Sequence, residues 1–150
     1  MAKQANADYL KQAFASLEQA FWDERGRGGR YRTTLVGVDY FKDRLPASSG
    51  DWRKGLDEAA ALLKEEGVIS EATPSYEGQN IIKCKVTGCV HAADHSALKR
   101  EPFVCPPGNL LMHAVSMACG VFPELMQVKC QNGDCVLSMV VTGADLGTSA

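Results

Sequence analysis

The side chains of this sequence best suited to chemistry are thiols. Cys105, Cys130 and Cys135 fall in its last third, and the later two bracket Gln131-Asn132-Gly133-Asp134. An Asn-Gly pair between two apolar runs predicts a tight hairpin turn, which sets Cys130 and Cys135 side by side at the hairpin's base. A pair held that close can coordinate a metal, cycle as a dithiol, or simply pack. The run Lys83-Cys84-Lys85-Val86-Thr87-Gly88-Cys89-Val90 echoes Lys129-Cys130-Gln131-Asn132-Gly133-Asp134-Cys135-Val136. Two such claws would supply the thiolates of a tetrahedral zinc site or of an iron–sulfur cluster, although no ferredoxin spacing is present.

Each of these residues also has a plainer reading. Cys84 shares a strand face with Ile82 and Val86 and reads equally as core filler or as a ligand, while Cys119 lies in helical register with Leu111 and Val115 and reads as core filler. His91 and His95 sit four apart in a polar stretch with Asp94, where no helical pattern turns that spacing into a ligand pair. His113 stands beside Met112 on a helix and reads as a packing histidine or a ligand contact. Lys83 and Lys129, next to Cys84 and Cys130, would favour thiolates, but adjacent strand residues point to opposite faces.

The elements that must position these groups follow from periodicity and turn chemistry. Leu10, Phe14, Leu17 and Phe21 recur at helical spacing and predict an amphipathic helix over 7–24 with that stripe on the core. Glycines 26, 28 and 29 end it in a basic loop that follows a helix rather than a strand and lacks Gly-Lys-Ser/Thr, so it is not a phosphate-binding signature. Residues 31–40 read as a strand. A second helix is expected over 51–66, capped by Asp51 and closed by Gly67. Residues 70–90 read as a hairpin about Glu77-Gly78-Gln79-Asn80, 109–119 as a helix, and 125–141 as the final hairpin, with a frayed tail ending in Gly147-Thr148-Ser149-Ala150. This order predicts a single α+β domain over residues 1–150, an antiparallel sheet packed with helices.

A chain of 150 residues can bury a substantial core without disulfides. Its net charge of −2, with acids and bases intermixed, recruits neither nucleic acid nor an anionic membrane. The amino terminus lacks a signal-peptide core and no apolar run is long enough to span a bilayer, so a cytoplasmic location is expected. In a reducing compartment the six cysteines read as ligands, redox groups or filler rather than as a disulfide framework.

The run Cys105-Pro106-Pro107-Gly108, the small-residue helix through Ala114, Ser116, Ala118 and Gly120, and Cys130 followed by Gly133-Asp134-Cys135 resemble the 4-vinyl reductase, or hydrocarbon-binding, domain family over roughly residues 80–142. That family occurs in aromatic-hydrocarbon-sensing and redox-responsive regulators and in proteins linked to bacteriochlorophyll synthesis. The resemblance implies a fold shared with vesicle-tethering subunits, an apolar pocket for a small ligand, and a homodimer. It further implies a structural zinc held by Cys105, Cys130 and Cys135. The family's carboxylate ligand falls on Gln127 here, so Cys89 is the first candidate for the fourth position, before Cys84, His91 and Gln127 itself.

Nothing in the chain supports a conventional enzyme: no Gly-x-Ser-x-Gly, no His-Glu-x-x-His and no dinucleotide fingerprint is present. A small-residue helix opposite Phe14, Phe21, Trp22, Phe103 and Phe122 could instead leave a cavity, with Phe103, His113 and Phe122 as ligand contacts. The expected role is a ligand-binding or sensory domain for a small hydrophobic molecule, with structural zinc. The alternatives are a thiol redox sensor or an accessory subunit of a tetrapyrrole or aromatic-compound enzyme.

Overall fold

The computed structural model describes residues 6–26, 29, 33–45, 50–92, 101–144 and 146. Two hairpins build its sheet. β1 (Glu71–Gly78) and β2 (Ile81–Thr87) join through Gln79 and Asn80, and β3 (Glu124–Gln131) and β4 (Asp134–Val140) through Asn132 and Gly133. All four linking residues have positive φ, between 52° and 83°, the conformation whose twist matches that of paired strands. The hairpins meet through β2 and β4, giving an antiparallel sheet of order β1-β2-β4-β3 with Ile82, Cys84 and Val86 opposite Met139, Leu137 and Cys135. The α+β class and antiparallel sheet expected from the sequence are what the chain forms.

Alternation of side chains gives the sheet two unlike faces. Ile82, Cys84, Val86, Val128, Leu137 and Met139 are buried beneath two helices, α2 (Trp52–Glu65) and α3 (Pro106–Cys119). Lys83, Lys85, Gln127, Lys129 and Val136 form the exposed opposite face. Asp51 caps α2 as expected, its carboxylate accepting from the Arg53 and Lys54 amides, and Gly67 takes positive φ just past the helix end. The small residues of α3 serve helix crossing rather than a cavity. A Cβ at Gly55 of α2 would lie 3.2 Å from the Ala114 carbonyl oxygen and 3.8 Å from the Ala118 Cβ, so the two helices approach as closely as their backbones allow.

Several expectations are corrected. Residues 34–41 form turns, not a strand, followed by a short 3₁₀ turn over Lys42–Arg44. Gly37 bends the chain at φ 83° against Pro106, and Val38 and Phe41, three apart, dip into the core. The first helix, α1 (Ala7–Arg25), forms as expected but is rolled about its axis. Leu10 and Leu17 are 55% and 56% exposed, and the residue it buries is Glu18, whose carboxylate accepts from the Val104 amide at 2.8 Å. That bond and the packing of Phe21 and Trp22 on Phe103 hold the helix by the stripe through Phe14, Glu18 and Trp22. Helix α3 begins three residues earlier than expected, its first turn opened by Pro106 and Pro107. The last ten residues, expected to fray, are tied down where they are described: Val141 and Leu146 are buried, the Asn80 amide donates to the Val141 and Ala144 carbonyls, and the Trp52 indole donates to that of Leu146. Residues 147–150, His95, Asp94 and most of the basic loop lie outside the described residues. No helix among the described residues is long and apolar enough to cross a membrane.

Candidate functional site

The β3–β4 turn does what Asn132-Gly133 predicts. Cys130 and Cys135 are directly opposed, their Cα atoms 4.1 Å apart, and they are joined as a disulfide. Both lie on the helix side of the sheet, with Cys135 buried. Gln127, on the alternate phase of β3, belongs to the open face with Lys83 and Ser138 and points away from the pair.

The other cysteines are dispersed. Cys84 is 1% exposed in the core, and burial pushes its thiol pKa up to about 12, as expected of filler. Cys89 follows Gly88, which takes φ 63°, and there the chain leaves the strand so that the Val90 amide reaches the Val68 carbonyl. The echo of the Cys130–Cys135 run therefore makes no second hairpin. Burial raises the Cys89 pKa, while bonds from the His91 and Ala92 backbone pull the other way. Cys119 is half-buried at the end of α3 and its thiol is also raised by burial. Cys105 is the N-cap residue of α3, with its sulfur close to Gly108, where an added Cβ would lie 3.0 Å away.

As placed, the four cysteines expected to hold zinc do not form a ligand set. Among the described residues no three histidine, cysteine, aspartate or glutamate side chains are grouped as an ion would require, and two of the four sulfurs are bonded to each other.

What the fold does gather is a cavity. Phe103 and Phe122 line it with Cys105, Asn109, Met112 and Leu125, and Thr33, Thr34, Pro123 and Glu124 complete its rim, enclosing about 170 Å³. The half-buried His113, next along α3, is not among its described lining residues, and His91 instead packs its ring 5.4 Å from that of Phe14. Asn109, 4% exposed, is the polar group that sequence reasoning missed. Its Nδ2 donates to the Thr33 and Val36 carbonyls at 2.8 and 3.0 Å, which fixes the amide and leaves Oδ1 as an acceptor with no donor among the described residues. The available signal was an asparagine set between Pro-Pro-Gly and Leu-Leu in an otherwise apolar helix start. The cavity thus has apolar walls and one rigidly held amide, a combination that orients a small ligand.

The fold and site define an α+β domain with a four-stranded antiparallel sheet, a disulfide hairpin and a small apolar cavity at the start of α3. The chain matches no protein-family model, and no curated protein matches it.

Proposed function

We propose that the chain is a ligand-binding or sensory domain that takes a small hydrophobic molecule in the cavity at the start of α3. The observation that carries this reading is the enclosure of about 170 Å³ between Phe103, Phe122, Met112 and Leu125. A cavity of about 150 Å³ suffices for benzene. The Asn109 amide adds a hydrogen-bond acceptor for a hydroxyl or amine on such a ring. Any signal would leave through self-association or a partner, since the cavity's walls include the loop over α3 and the start of β3, both near the surface.

Calorimetric titration with toluene, phenol and cyclohexanol tests the reading. Saturable binding of ring-sized molecules that is abolished by Met112→Trp, which fills the cavity, supports it. No binding by the wild-type chain, or binding unaffected by Met112→Trp, refutes it.

The Cys130–Cys135 disulfide favours a second reading, a thiol redox sensor. In a reducing compartment a paired disulfide is a reactive device more often than a staple. Measuring the thiol–disulfide midpoint against glutathione separates the two uses: a midpoint within the cellular range supports sensing, and a far more reducing one marks a structural bond. Zinc belongs to this proposal only for the reduced chain, in which Cys130 and Cys135 regain their thiols and Cys105 and Cys89 would have to be drawn towards them.

A further inference from the structure

We infer that the groove between α1 and the 33–36 loop is a second binding site, one that takes an anionic amphiphile. The helix keeps apolar surface that its packing leaves partly uncovered. Leu17 is 56% and Phe21 40% exposed, and Val36 across the groove is 39% exposed. With Phe14 and Val104 these residues line a concavity of about 520 Å³, three times the volume of the cavity at α3. That size falls within the range of about 300–1,000 Å³ usual for small-molecule sites. Among its described lining residues Arg25 is the one cation and the α1 wall is otherwise mostly apolar, which suits a small molecule with an apolar body and an anionic head.

Of the two charged side chains that α1 gives the groove, one is already engaged and the other is not, and the difference orients the occupant. Glu18 is 2% exposed and already committed to the Val104 amide. Arg25 lines the same groove seven residues further along, about 10 Å on at 1.5 Å per residue. Its guanidinium has no ion-pair or hydrogen-bond partner among the described residues. Gly29 seats it: a Cβ there would fall 2.6 Å from the Arg25 Cβ and 3.0 Å from the Phe103 ring, so the chain closes on the arginine stem where only glycine fits. An apolar body over Leu17 and Phe21 with a carboxylate, sulfonate or phosphate at Arg25 would cover the exposed stripe and satisfy the guanidinium in fork geometry. The tail would then point towards Phe14, past the Glu18 carboxylate that is turned into the protein.

Decanoate and 1-decanol share a chain length and differ in the head, so the pair isolates the charge. Titrated calorimetrically into the whole chain, decanoate should bind at least about tenfold tighter than decanol, the margin of a charge-assisted hydrogen bond. Arg25→Gln should bring the two within about twofold of each other, because it removes the charged partner alone. Leu17→Asp should weaken both. Equal affinities in the wild-type chain, or a preference that survives Arg25→Gln, overturn the inference. So does Arg25-dependent flotation with phosphatidylglycerol vesicles in the absence of decanoate binding, which would make the stripe a membrane contact. Phenol binding at the α3 cavity should persist in Arg25→Gln, so failure of one site is distinguishable from failure of the other.

Discussion

Cys84 and Asn109 show how single buried groups tie chemistry to stability. The Cys84 thiol ionises only at about 12 in the folded chain, against an ordinary value of about 8.5 for an unfolded one. Between those values the unfolded chain releases a proton that the native chain retains. The contribution of Cys84 is therefore complete below the ordinary thiol range and is lost as pH rises towards 12. Cys89 and Cys119, also raised by burial, act in the same direction. Urea unfolding across the alkaline range should show stability falling more steeply for the wild type than for Cys84→Val, and parallel slopes would remove Cys84 as a cause. Asn109 is tested differently. Asn109→Leu keeps the branched shape but leaves the Thr33 and Val36 carbonyls without their donor, and should cost about 1–3 kcal/mol in urea unfolding. Because that loop borders both cavity and groove, affinity for phenol should fall with it.

At the scale of elements, what could be read in advance is what local chemistry decides. Asn132-Gly133 and Gln79-Asn80 carry the left-handed conformations that close hairpins, and Asp51 and Gly67 carry caps, so the final hairpin and α2 are legible to within a residue, whereas the first hairpin ends at Thr87, three residues before the expected bound, because Gly88 turns the chain out of the sheet. The roll of α1 was not legible. Periodicity identifies a stripe but not what it meets, and the orientation turns on one long-range bond from Glu18 to Val104. The strand expected over 31–40 fails for the same reason: its β-branched and aromatic residues suit a strand, whereas Gly37 against Pro106 and Asn109 beneath the loop impose turns. The cysteines were half legible, since the pairing of Cys130 with Cys135 follows from the turn while the dispersal of Cys84, Cys89 and Cys105 depends on where distant elements lie. The disulfide closes a short loop, with a sequence separation of 5. Loop entropy for such a closure is worth about 2 kcal/mol. Reduction should lower stability by about that amount, with hydrogen exchange quickening first in β3 and β4 and least in α2; uniform quickening would show that the bond acts on the whole fold instead.

For the molecule as a whole, the two hairpins, the helix pair and the loop over α3 meet on one side of the sheet, and there the disulfide and the proposed ion compete for the same sulfurs. An oxidised Cys130–Cys135 pair has no thiolates to offer, so metal affinity must depend on redox state. Cys105 stands at the end of α3 that borders the cavity, and drawing it to the hairpin would move a wall residue. Zinc and a ring-sized ligand would then be coupled, each altering the affinity for the other by the same factor. Protein purified without reductant should carry no zinc, whereas protein reduced under argon, given one equivalent and passed through gel filtration, should retain it stoichiometrically by elemental analysis. Cys130→Ser and Cys105→Ser should each abolish retention. If Cys130→Ser abolishes it and Cys105→Ser does not, the ion sits on the hairpin without reaching α3, and phenol affinity should be the same with and without zinc. If the reduced wild-type chain retains none, the same two sulfurs are left to redox chemistry alone, and changes in phenol affinity should follow the oxidation state of the hairpin.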